Sequence, residues 1–172
     1  MRKIFILAFF IIGSLAVEAQ EVKWYTDVKE AITVSVKEKK PLMLFFTGSD
    51  WCGWCIRLQK EVLKTPEFDK WAKESVVLVE IDYPRRTAQS AELKRQNNEL
   101  QQVFGIQGFP TVYFANAKEK DGKVNFEALG STGYVAGGPT AWLGVADSFV
   151  KKPIVSAEET SKSKSKSKTK KG

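Results

Sequence analysis

Three features of this 172-residue chain predict an α/β fold in which helices cover both faces of a central mixed β-sheet. Helix-like and strand-like stretches alternate through the first half, and two strand-like stretches joined by a turn follow. Residues 42–47 and 76–82 are nearly continuous apolar runs, the pattern of strands covered on both faces. The only two cysteines, Cys52 and Cys55, stand where the first of these runs passes into the helix-forming stretch 56–63.

Taken in order, the first helix is read from Val28, Ala31, Ile32, Ser35 and Val36, whose spacing builds one buried face. Asp27 with Glu30 three residues on resembles a capping box. Lys37, Lys39 and Lys40 suit the far end of the helix dipole, and Pro41 stops the helix. Strand 42–47 follows, and Gly48, Ser49 and Asp50 turn the chain into the cysteine helix, which ends near Lys64. Thr65-Pro66 supplies an N-cap and a proline at the first helical position of a short helix with Phe68, Trp71 and Ala72 inward. Strand 76–82 is closed by Pro84. A weakly amphipathic helix over 88–104 buries Leu93, Gln96, Leu100, Val103 and Phe104 and ends at Gly105. Strands 111–115 and 124–129 flank a turn at Asp121-Gly122. The last helix, 139–150, turns Leu143, Ala146, Phe149 and Val150 inward.

The cysteine pair carries the chemistry. A first cysteine at a helix N-terminus meets unpaired backbone N–H groups and the positive end of the helix dipole, which favour its thiolate, the reactive form. The second cysteine, one turn deeper, is placed to attack a mixed disulfide formed on the first. A zinc site within one chain needs four Cys or His ligands, and two cysteines with no histidine cannot supply them. A structural disulfide and a metal or cluster shared between two chains remain as other readings of the pair. The disulfide would close too small a loop to constrain the unfolded chain much.

The first 19 residues read as a signal peptide: Arg2 and Lys3, an apolar run from Ile4 to Ile12, and Val17-Glu18-Ala19 before the expected cleavage. The apolar run is shorter than the roughly 20 residues a membrane span needs. A domain over 20–152 follows, then a tail over 153–172 that alternates Lys with Ser and is expected to be disordered. Residues 151–172 carry eight Lys and two Glu, so most of the net charge of +7 lies there, because residues 20–150 hold 17 basic and 17 acidic side chains. A nucleic-acid enzyme carries its basic patch on the fold, so no nucleic-acid partner is expected. The tail's charge supports a weak contact with anionic membrane surfaces.

Trp51-Cys52-Gly53-Trp54-Cys55 resembles the Trp-Cys-Gly-Pro-Cys site of the thioredoxin superfamily, with Trp54 in place of proline. Gly108-Phe109-Pro110-Thr111 resembles that family's cis-proline loop, and Gly122 and Gly130 resemble its hairpin turn and groove glycine. The Phe-Thr-Gly-Ser-Asp lead-in is most similar to exported bacterial members. The resemblance implies a thioredoxin fold and a thiol–disulfide oxidoreductase with no cofactor. Cys52 would attack and Cys55 resolve, while Trp51, Gly53, Trp54, Phe109, Pro110 and Gly130 would shape a groove for extended clients. Those clients would be cysteine-containing exported proteins, and an upstream redox partner would recharge the pair. A reductase or exchange role is favoured over strong oxidation, since no histidine lies between the cysteines to stabilise the Cys52 thiolate. The other reading is an adaptor that holds extended peptides without turnover.

The departures are specific. Cytosolic thioredoxin pairs a buried Asp on the strand before the motif with a Lys on the neighbouring strand. Here strand 42–47 has no acid, and Leu78 stands at the Lys position. Glu80 is the nearest replacement, with an exposed strand-end position expected because an unpaired buried charge is costly. Residues 85–102 exceed the minimal fold and suggest a lid or partner surface.

Overall fold

In a computed structural model, residues 22–120 and 123–151 are described. The expected signal peptide, the turn expected at Asp121-Gly122 and the Lys/Ser tail lie outside those residues. Five strands form one sheet in the order β1-β3-β2-β4-β5: β1 (Trp24–Tyr25), β2 (Leu42–Thr47), β3 (Val77–Asp82), β4 (Thr111–Lys120) and β5 (Lys123–Thr132). β3 runs parallel to both β1 and β2, while β4 is antiparallel to β2 and to β5. The sheet is therefore mixed, as the sequence predicts.

Every residue of β2 is buried, because side chains alternate between two covered faces. Leu42, Leu44 and Phe46 join Val77, Val79 and Ile81 under α1 (Val28–Glu38) and α4 (Ala91–Val103). Met43, Phe45 and Leu78 face the other layer. There α2 (Gly53–Leu58), α3 (Pro66–Ser75) and α5 (Gly138–Val150) bring Cys55, Leu58, Phe68, Trp71 and Trp142 onto the sheet. Burying a large apolar side chain contributes about 1.5–3 kcal/mol, so these two layers dominate the stability.

One strand goes unread in the sequence and three local expectations are corrected. Two-residue β1 carries too little pattern to read and is held only by its pairing with Leu78 and Val79. The Asp27 carboxylate caps α1 by accepting from the Lys29 and Glu30 N–H groups, but Glu30 pairs with Lys23, so the capping box is not closed. The inward face of α4 is Asn97 and Leu100, whereas Val103 is 64% exposed. Asn97 is buried because its amide donates to the Asp82 carbonyl, a distant partner that satisfies it. The β4–β5 hairpin extends beyond the predicted 111–115 and 124–129, since ladder hydrogen bonds continue through polar residues. The helix after Cys52 also continues past α2 as a π-helical turn over Gln59–Leu63.

Candidate active site

The cysteines lie where β2 gives way to α2. Gly48, Ser49 and Asp50 make the turn, and the Gly48 carbonyl accepts from the Trp51 and Cys52 N–H groups. Cys52 is the N-cap of α2, and its sulfur accepts from the Cys55 N–H at 3.2 Å. The two sulfurs are joined, with an S–S distance of 2.04 Å. Cys52 retains 7% exposure and Cys55 none. An anion on Cys52 keeps the same backbone donor, so the helix start stabilises the sulfur that solvent can reach.

Around the pair the structure assembles most of the residues picked from the sequence. The Phe109–Pro110 peptide is cis. Trp51 packs edge-on against Phe109, with ring centroids 5.9 Å apart, and its indole N–H donates to the Tyr83 carbonyl at 2.8 Å. Trp54 is 56% exposed and lies against Tyr134, 5.2 Å between centroids. Gly53 is exposed, and a Cβ there would meet nothing. The one expectation out of place is Gly130. Its open side faces Phe149 of α5, where a Cβ would collide with that ring, so it serves the helix–sheet interface. Gly133 is the glycine beside the proline loop, since a Cβ there would stand 3.2 Å from the Pro110 carbonyl oxygen.

Several supporting residues escaped the sequence reading. Fully buried Trp142 donates its indole N–H to the Gly133 carbonyl at 3.0 Å and so holds the Gly133-Tyr134 segment beside the site. The Tyr134 hydroxyl donates to Glu61, which also pairs with Arg57. The Tyr134 hydrogen bond, then that of Arg57, holds the Glu61 carboxyl below its ordinary range. The Tyr134–Glu61 contact joins segments 73 residues apart and has no local signature, whereas Arg57–Glu61 is an i,i+4 helix pair. Within the 85–102 stretch, Asp50 accepts from the backbone N–H groups of Arg85, Arg86 and Thr87, and residues from Ala91 onward form α4. Ser49 donates its backbone N–H and hydroxyl to Asp82, tying the same turn to the end of β3.

Glu80 is not the exposed carboxylate expected. It stands opposite Phe45 in the register and lines a cavity of about 300 Å³ with Trp24, Phe45, Gln59, Leu63 and Lys64. Burial raises its pKa, the Asp82 charge adds to the rise, and Lys64 opposes it. Among the described residues no cluster of His, Cys, Asp and Glu is arranged to hold a metal ion.

A cysteine pair one helical turn apart at the head of a helix, against a cis-proline loop on a mixed sheet, defines a thiol–disulfide oxidoreductase. The chain belongs to the thioredoxin-like family, whose domain model matches residues 28–133. It is 36% identical over 121 residues to the disulfide bond reductase DsbH of Chlamydia pneumoniae, covering 70% of this chain and 72% of that one. A thioredoxin-related protein of the same organism, DsbJ, is 33% identical over 104 residues, which span 60% of this chain and 30% of that one. The solved DsbH oxidoreductase structure superposes with a TM-score of 0.69 at 31% identity, over 83% of this chain and 94% of the other.

Proposed function

We propose that this protein reduces disulfides in exported, cysteine-containing client proteins, with Cys52 as the attacking thiol and Cys55 as the resolving one. The observation that carries the assignment is the unequal burial of two sulfurs one turn apart, Cys52 reachable and Cys55 enclosed. In the dithiol state the Cys52 thiolate attacks a client disulfide. A Cys52–client disulfide forms, and the other client sulfur leaves as a thiolate that takes its proton from water. Cys55, deprotonated, then attacks the Cys52 sulfur. The second client thiolate departs, and the Cys52–Cys55 disulfide closes. Two electrons pass to the client, and an upstream dithiol donor restores the pair.

The 36% identity to a disulfide bond reductase supports the reducing direction. The amino-terminal pattern supports export, with residues 1–19 as the signal, 20–152 as the working domain and the 153–172 tail as a weak contact with anionic membrane surfaces. Trp51, Gly53, Trp54, Phe109 and Pro110, with Gly133 in place of Gly130, form the client groove in this reading. An extended client would pair with backbone at the proline loop, and the indoles would supply apolar contact.

A trapping experiment tests the assignment. The Cys55→Ser protein should accumulate client-bound mixed disulfides that reductant releases, and the Cys52→Ser protein should accumulate few. Equal trapping by both, or more by Cys52→Ser, overturns the roles. Insulin reduction by the wild type tests turnover itself, and its absence returns the adaptor reading.

A further inference from the structure

The two flanks of the cysteine pair differ in charge. On the α2 side, Arg57 pairs with Glu61 at 2.8 Å and lies over the rings of Tyr134 and Trp54, so its charge is answered. On the other side, Arg85 and Arg86 are exposed, and among the described residues neither guanidinium forms an ion pair. The Arg85 guanidinium centre lies 3.8 Å from the ring centroid of Trp51, the residue next to Cys52. That ring is itself fixed by its bond to Tyr83, by Phe109 and by Gly48, where a Cβ would collide with the indole.

The segment carrying these arginines is held by its backbone. Asp50 receives the N–H groups of Arg85, Arg86 and Thr87 at 3.0, 2.7 and 3.2 Å. The nearby acids are turned inward: Asp50 onto this segment, and Asp82 onto Ser49. The Arg85 N–H foremost, then those of Arg86 and Thr87 and the Arg86 charge, keeps the Asp50 carboxyl below its ordinary range, so the clamp persists in mildly acidic surroundings. Backbone forms the clamp, and both cationic side chains stay exposed on a segment whose Arg85 lies over Trp51, the neighbour of Cys52.

We propose that Arg85 and Arg86 form a cationic rim that selects client disulfides flanked by Asp or Glu. This rests on the reductase reading. A client pairing with the proline loop lays residues adjacent to its cysteine along Trp51, within reach of the Arg85 guanidinium. An acidic side chain there gains a charge-assisted contact, and a basic one is repelled.

The test uses the full chain and two disulfide-linked peptides that differ only in Glu or Lys beside the cysteine, scored by kcat/KM. At low salt the Glu peptide should be preferred about fivefold, and the preference should fall steeply with added salt. Arg85→Gln/Arg86→Gln should abolish the preference, and Arg85→Lys/Arg86→Lys should retain most of it. If the glutamine variant does not fold, the salt dependence of the wild type and the lysine variant decide. Equal rates for the two peptides, or a preference that survives both glutamines, overturn the rim and leave the reductase reading standing. Reduction of neither peptide overturns both.

Discussion

Gly130 and Gly133 stand three positions apart in similar sequence surroundings, yet they do different work. At Gly130 a methyl group would collide with Phe149, a ring anchored in the α5–sheet layer. Gly130→Ala should therefore cost about 1–3 kcal/mol by overpacking, read as a lower melting temperature, while the protein that remains folded keeps its disulfide exchange rate. Lost turnover at unchanged melting temperature would instead return Gly130 to the client groove. Gly133 meets only the Pro110 carbonyl at 3.2 Å, so its substitution bears on the proline loop. The same selectivity governs the tryptophans. Trp142 and Trp71 are core residues whose indole N–H groups find the Gly133 carbonyl and Asp147, while Trp54 is exposed beside the sulfurs.

Among the elements, β3 carries an internal conflict. Val77, Leu78, Val79 and Ile81 are buried as a central strand requires, and between them Glu80 is half-buried. Because burial raises the Glu80 pKa above its ordinary value of 4.5, the charged form costs the fold stability. That cost is absent when the carboxyl is protonated in both folded and unfolded chains, and it grows as pH rises through and beyond the ordinary value. Glu80→Gln should melt a few degrees higher than the wild type at neutral pH, with the difference disappearing below about pH 4.5. A melting difference constant across that range would show that charge is not the cause. The π-helical turn over Gln59–Leu63 belongs to the same region. It lets the cysteine helix run on over the sheet, with Gln59 and Leu63 closing the cavity that Glu80 lines.

For the whole molecule, the balance of 17 basic and 17 acidic side chains over residues 20–150 leaves the net charge to the lysine tail. Truncation after Lys152 should leave melting temperature and insulin reduction unchanged, while cosedimentation with anionic vesicles falls, at about 1 kcal/mol for each Lys near the surface. A marked drop in melting temperature on truncation would mean that the tail docks on the domain. The sheet and its two helical layers are legible in the amino-acid pattern, because periodicity over ten residues reports which side of an element is buried. Cys52 and Cys55 are legible too, since a strand-to-helix junction fixes their relation within one helical turn.

What the sequence by itself determined, then, was the alternation of elements, the sheet's burial on both faces and the position of the reactive pair. Each depends on neighbours within a few residues, where backbone geometry dictates which side chains share a face. Tertiary structure decided the rest. It chose Asn97 over Val103 as an inward residue of α4, because the Asp82 carbonyl across the layer satisfies the amide. It half-buried Glu80, exchanged Gly133 for Gly130 beside Pro110, and set Arg85 over Trp51 by folding the segment after β3 onto Asp50. These outcomes rest on contacts between segments tens of residues apart. Their energy comes from close packing and from donors meeting acceptors, terms that arise only when the chain is folded and that leave no periodic trace along it.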